Sequence, residues 1–170
     1  MTGPRIVLVG PMGAGKTTVA GLLGEAWSLP VRDTDADIEA AEGRTISDIF
    51  VDDGEQAFRA LEAAAAAEAI AHHEGVLALG GGAVLDPTTR DLLVGRPVVF
   101  LRVGLSDAVK RVGLGVGRPL LLGNVRARIK ALLDERTPIY ESVATLVVDT
   151  DDRTPEDVAA EIRAAFQEVG

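Results

Sequence analysis

Three shortages mark this chain of 170 residues: it has no cysteine, only three lysines, and an aromatic content of 4 %. Without cysteine there are no disulfides and no thiolate metal sites, which fits a cytoplasmic protein. Long apolar runs are missing too. The longest, such as Pro97-Val98-Val99-Phe100-Leu101, are strand-length and could not span a bilayer. The first apolar run begins within a few residues of the N-terminus, leaving no room for a signal core. Positive charge is also short: 17 basic residues stand against 26 acidic ones, a net charge of −9. A surface of that sign repels nucleic acid and anionic lipid, so neither nucleic acid nor membrane is expected as a partner. A monomer is expected, although charge does not decide this. With 47 % hydrophobic and 25 % charged residues the composition is that of a folded globular chain, and its length fits one domain over residues 1–170.

The best-defined stretch is Gly10-Pro11-Met12-Gly13-Ala14-Gly15-Lys16-Thr17, between the apolar run Ile6-Val7-Leu8-Val9 and a helical pattern starting at Thr18. Glycine, four residues, then Gly-Lys-Thr is the phosphate-binding loop pattern. Its glycines let successive backbone N–H groups point at a phosphate chain, Lys16 adds a positive charge, and the Thr17 hydroxyl is a Mg²⁺ ligand. This establishes a nucleotide cradle without saying where the phosphate goes.

Apolar runs over residues 6–9, 76–79, 98–101 and 146–148 lack polar alternation and predict buried parallel strands, with a short fifth over 29–32. Helical stretches separate them, so a three-layer α/β domain is expected. Helices are predicted over 55–73, over 125–136 with a stop before Pro138, and from the Thr154-Pro155-Glu156-Asp157 start to about 168. His72 and His73 fall at a helix end, where the carbonyl end of the helix dipole accounts for them. In residues 112–117 alternating glycines predict a backbone that holds neither helix nor strand; it reads as a lid or as a plain surface loop.

Asp33-Thr34-Asp35 follows the short strand and so stands at the carboxyl edge of the sheet, where ligands bind in open α/β folds. Two acids there can divide the work of phosphoryl transfer, one near Mg²⁺ and one on the attacking hydroxyl; the other reading is a helix cap made by Asp35. Leu79 runs into Gly80-Gly81-Gly82 instead of the Mg²⁺-binding acid that many such proteins carry there, and Asp33 is the replacement at hand. The triple glycine is either a close-approach surface for a substrate or a tight turn. Arg59, Arg111, Arg118 and Arg136 can each return to the ligand edge, where guanidinium forks suit carboxylate and phosphate, although surface ion pairs also explain single arginines.

Together these residues resemble the shikimate kinase family in its bacterial single-domain form. The resemblance rests on the phosphate loop, Asp33-Thr34-Asp35, Ile49-Phe50 with Gly54-Glu55-Gln56-Ala57-Phe58-Arg59, Leu79-Gly80-Gly81-Gly82-Ala83, Arg118-Pro119-Leu120-Leu121 and Arg136-Thr137-Pro138-Ile139-Tyr140. It implies a P-loop kinase fold with a five-stranded parallel sheet in the order 2-3-1-4-5, helices on both faces and a mobile lid at about 112–123. It also implies transfer of the ATP γ-phosphoryl group to the 3-hydroxyl of shikimate, the fifth step of the chorismate pathway, with Mg²⁺ as cofactor.

By the same resemblance Gly13, Ala14, Gly15, Lys16, Thr17 and Thr18 cradle the phosphates, and Thr17 holds Mg²⁺ with Asp33 in its outer sphere. Asp35 orients or activates the shikimate hydroxyl. Arg59 and Arg136 grip the carboxylate, Gly80, Gly81 and Gly82 meet a ring hydroxyl, and Phe50 and Phe58 wall the pocket. Arg118 reaches the transferring group, and Arg111 and Arg153 lie by the adenine. Residues 112–117 are more apolar than the lids associated with the family. The alternatives are a kinase of another small hydroxy acid such as gluconate, and a nucleotide-binding switch without an acceptor.

Overall fold

The structure, a computed structural model, describes residues 3–116 and 122–166. Arg118, with residues 117–121 of the expected lid, lies outside the described residues. In chain order the elements are β1 (Ile6–Val9), α1 (Lys16–Trp27), β2 (Val31–Asp33), α2 (Thr34–Glu42), α3 (Ile46–Asp53), α4 (Glu55–His72) and β3 (Val76–Ala78). A 3₁₀ turn (Ala83–Leu85) then leads to α5 (Pro87–Leu93), β4 (Val98–Arg102), α6 (Leu105–Val116), α7 (Leu122–Val143), β5 (Leu146–Asp149) and α8 (Pro155–Phe166).

The strands form one parallel sheet in the order β2-β3-β1-β4-β5, as the family resemblance implies. Strand side chains alternate between its two faces. Ile6 and Leu8 of β1 pack with Val19, Leu23, Val158 and Ile162 of α1 and α8, whereas Val7 and Val9 pack with Ala66, Ile70, Leu93 and Tyr140 of α4, α5 and α7. Burial on both faces is why these strands read as continuous apolar runs. A third, smaller cluster of Ile38, Ile49 and Phe58 ties α2, α3 and α4 together beside β2. Its Ile49 is fully buried, and truncation to alanine would cost about 2–5 kcal/mol.

Because β1 is central, the chain leaving its carboxyl end runs between the ends of β3 and β4, the position where open α/β sheets bind ligands. Gly15, at φ 90° and ψ 21°, turns the loop into α1 without any side-chain cap, so the first N–H groups of that helix face the loop's concavity.

Several expectations need correction. β2 runs over Val31–Asp33 instead of 29–32, and β3 ends at Ala78, one residue short of the predicted 79. Asp33 is therefore the last strand residue and also the cap of α2: its carboxylate accepts the N–H groups of Asp35 and Ala36 at 2.9 and 3.2 Å. Asp35 is thus not the cap. α7 does not stop before Pro138 but runs through it to Val143. Burial of Tyr140, with Ile139 and Val143 packed against the same cluster, offsets the one backbone hydrogen bond that the proline cannot make. Residues 112–116, expected to be irregular, continue α6 although glycine costs a helix about 1 kcal/mol relative to alanine, so propensity alone did not decide the end of this helix. The structure also adds α3 and α5, two short helices that the sequence pattern does not single out.

Candidate active site

The phosphate loop forms one wall of a cleft of about 500 Å³ that gathers residues from six separate parts of the chain. Gly13, Gly15, Lys16, Thr17 and Thr18 come from the loop and α1, Asp33 and Asp35 from the end of β2, Phe50 from α3, Phe58 and Arg59 from α4, Gly81 and Gly82 from beyond β3, and Arg136 from α7. Glu62 of α4 joins them, a residue that the sequence reading missed.

Lys16 folds its ammonium back onto the loop, donating to the carbonyls of Gly10 and Pro11 at 2.6 and 3.1 Å. Desolvation lowers its pKa to about 8, with Asp35 and Asp33 opposing the shift. Thr17 donates its hydroxyl to Asp33 at 2.8 Å. A hydroxyl and a carboxylate side by side at a phosphate cradle are the oxygen donors that Mg²⁺ favours. Among the described residues no group of three acidic or histidine side chains could hold a metal alone, so phosphate oxygens would have to complete its shell.

Asp35 points into the cleft with its Oδ1 buried and without a hydrogen-bond partner. Burial, with Asp33 and Glu62 nearby, raises its pKa to about 6. Across the cleft the Nε of Arg136 is likewise buried and unpartnered. Unpaired buried polar atoms are rare and costly, and both of these belong to residues that line one cleft.

Arg59 presents its guanidinium from α4. Nη1 donates to Glu62 at 2.7 Å, and Glu62 is 3 % exposed, so one edge of the fork is fixed by a buried partner. Phe58 lies under the same guanidinium at 5.5 Å and contacts Phe50 at 5.0 Å, which gives the cleft one apolar side. The glycine run forms the floor. A Cβ at Gly80 would run into the Asp35 carboxylate and one at Gly82 into the Arg59 guanidinium, so a side chain at either position would displace a charged group of the cleft.

On the other side of the phosphate loop a smaller cavity of about 250 Å³ shares Gly13, Gly15 and Thr18 with the first and is lined by Arg111, Arg153 and Pro155. Arg111 donates to the Gly13 carbonyl at 2.8 Å and to the Thr150 carbonyl at 3.2 Å. The Arg153 guanidinium is engaged with Glu161 and with the carbonyls of Asp149 and Asp157. The predicted residues therefore fall into two groups divided by one loop.

Glu62 was legible as a helical neighbour of Arg59 at i+3, but an acid in an alanine-rich helix gives no sign that it is buried. Thr34 and Tyr140 stand inside the sequence motifs, which give neither a role. Thr34 is fully buried and accepts the Gly80 N–H at 3.0 Å; Tyr140, also fully buried, donates to the Gly81 carbonyl at 2.6 Å.

A phosphate loop at the centre of a 2-3-1-4-5 parallel sheet, opening on a cleft that holds one free carboxylate and two arginines, defines the class: a P-loop kinase of a small acceptor. The family model described as Shikimate kinase matches residues 12–167. The chain belongs to the shikimate kinase family. It is 60 % identical to the shikimate kinase of Thermobifida fusca (strain YX) over 92 % of this chain and 91 % of that one. It is 58 % identical to that of Salinispora arenicola (strain CNS-205) over 95 % and 96 %. Among solved structures, the shikimate kinase from Acinetobacter baumannii in complex with shikimate superposes with a TM-score of 0.88 at 34 % identity, covering 99 % of this chain and 95 % of that one.

Proposed function

We propose that the protein phosphorylates shikimate at its 3-hydroxyl, with ATP as donor, giving shikimate 3-phosphate and ADP. The observation that carries this reading is the pairing, in one cleft beside the phosphate loop, of an unpartnered Asp35 carboxylate oxygen with an unpartnered Arg136 guanidinium nitrogen. A small acid bearing hydroxyls complements both.

The loop residues and Lys16 bind the ATP phosphates, and the base lies in the smaller cavity near Arg111 and Arg153. Arg136 and Arg59 hold the carboxylate of the acceptor, the latter with its fork oriented by Glu62. Phe50 and Phe58 cover the ring, and the glycine floor lets a ring hydroxyl reach the backbone. Held in this way, the 3-hydroxyl faces Asp35, which is ionised above about pH 6 and can accept its proton as the oxygen attacks phosphorus. Lys16 stabilises charge on the transferred group, and Arg118, outside the described residues, would do so from the lid. Thr17 and Asp33 would hold Mg²⁺, which would neutralise phosphate charge when bound.

A coupled ADP-release assay with a panel of hydroxy acids tests the reading. Release should depend on shikimate, and Arg136→Lys should raise the shikimate KM about ten- to hundred-fold with the ATP KM unchanged, because an ammonium cannot make the forked contact. Turnover on gluconate with none on shikimate, or an unchanged KM in the variant, would defeat it.

A further inference from the structure

The glycine floor runs beside three charged groups of the acceptor side. A Cβ at Gly80 would meet Asp35, one at Gly82 would meet Arg59, and one at Gly81 would stand 3.8 Å from Nη1 of Arg136. A shift of this segment would change the room left to all three. Yet it has no side chains of its own with which to pack. Local backbone bonds from the Ala83 and Leu85 N–H groups hold the Gly80 and Gly82 carbonyls at 3.0 and 3.1 Å, and the Gly80 N–H and the Gly81 carbonyl are left for partners from outside.

Two buried hydroxyls hold it from different elements. Thr34, at the start of α2, accepts the Gly80 N–H at 3.0 Å. Tyr140, on α7, donates to the Gly81 carbonyl at 2.6 Å. Each belongs to a stretch that also carries an acceptor-side group: Thr34 lies between Asp33 and Asp35, and Tyr140 follows Arg136 by four residues, on the same face of the helix. Between Arg136 and Tyr140 stands Pro138, which has no N–H for the Asp134 carbonyl, so the turn carrying Arg136 lacks one backbone tie. The Tyr140 contact supplies a tie from that turn to the floor. Burial raises the phenol pKa, with Arg136 opposing, which keeps the hydroxyl protonated and able to donate. The Phe100 ring, at 5.0 Å from that of Tyr140, fixes the phenol from the sheet side.

We infer that Thr34 and Tyr140 are positioning residues for the acceptor: they clamp the backbone of Gly80 and Gly81 from two sides and so set the distance between Asp35 and Arg136. A Cβ at Gly81 would also stand 3.6 Å from the Gly10 carbonyl oxygen and the Met12 nitrogen of the phosphate loop, but neither Thr34 nor Tyr140 lines the cavity of Arg111 and Arg153, so their effect should fall more heavily on the acceptor constants than on those of ATP. The inference rests on the acceptor cleft proposed above.

Steady-state kinetics of four variants separate the two. Tyr140→Phe keeps the ring and leaves the Gly81 carbonyl unpaired. Thr34→Val keeps the shape and leaves the Gly80 N–H unpaired, whereas Thr34→Ser restores the acceptor oxygen. Arg136→Lys reports on the cleft itself. The expected result is a fall of about tenfold or more in kcat/KM for shikimate in Tyr140→Phe and Thr34→Val, an ATP KM within about twofold of the parent protein, and recovery to within about threefold in Thr34→Ser. If Thr34→Val fails to fold, Tyr140→Phe with the Thr34→Ser control carries the test. Equal losses in the ATP and shikimate constants would mean a purely structural role and would overturn the inference. So would unchanged shikimate constants in Tyr140→Phe alongside a raised KM in Arg136→Lys. An unchanged KM in Arg136→Lys would instead remove the cleft on which the inference stands.

Discussion

Asp35, the residue proposed to act on the acceptor hydroxyl, carries a stability cost. Its folded pKa of about 6 lies above the ordinary carboxylate value of 3.8, chiefly through desolvation. A raised acid pKa means that the folded state binds the proton more tightly than the unfolded one. The stabilisation from this group is complete below about pH 4 and is lost as pH rises through about 6. At pH 7.5 the ionised Asp35 is therefore a burden on the fold, and Asp35→Asn should raise Tm by about 2–5 °C at that pH and by nothing at pH 4. The same variant should lower kcat about 10²- to 10⁴-fold, because an amide cannot take the hydroxyl proton. Near-normal turnover would remove Asp35 from the chemistry. Lys16 sets the opposite limb. With a pKa lowered to about 8, it must be protonated to hold phosphate, so kcat/KM should climb through about pH 6 and decline above about pH 8. A profile flat from pH 5 to 9 would contradict both assignments.

At the scale of elements, the glycine floor, α4 and α7 act as a unit. Arg59 is oriented by Glu62 one turn along α4 and lies against Gly82. A methyl group at Gly82 would displace the guanidinium, the flexible partner, and break its contact with Glu62. Gly82→Ala should therefore raise the shikimate KM about ten- to hundred-fold while the ATP KM stays near its original value. A matching rise in the ATP KM would mean that the floor and the phosphate loop move together. α7 shows how propensity yields to packing: a proline inside the helix costs it one hydrogen bond, yet the helix continues because Tyr140 is fully buried beyond it.

For the whole molecule, the division into two clefts on either side of one loop has a thermodynamic consequence. A ligand that binds only the folded chain stabilises it by RT ln(1 + [L]/Kd), about 2.7 kcal/mol at a hundredfold excess over Kd. For a chain of 170 residues this corresponds to a Tm rise of about 5–11 °C. A non-hydrolysable ATP analogue should produce that shift, and shikimate should add to it, because the proposed sites for the base and for the acceptor lie in different cavities that share the phosphate loop. Differential scanning fluorimetry with each ligand alone and with both checks this. Shikimate lowering the shift given by the analogue would indicate a shared site. Among the described residues no helix is long and apolar enough to cross a membrane, in keeping with the strand-length apolar runs.

What the sequence by itself determined is local. A strand, glycines at set spacing, a lysine and a threonine must make a phosphate cradle, because backbone N–H groups and one charge within eight consecutive residues suffice for it. Apolar runs without alternation required a sheet covered on both faces, and family motifs placed it as 2-3-1-4-5. What only the tertiary structure decided is which distant groups share a cavity and which are already satisfied. That Asp33 caps α2, leaving Asp35 free, depends on where β2 ends. That Glu62 is buried against Arg59 depends on the packing of α4 over the cleft, and that Tyr140 holds Gly81 depends on α7 returning across 59 residues of sequence. Hydrogen bonds and desolvation are set by proximity in space, and no spacing along the chain encodes it once the partners lie on different elements.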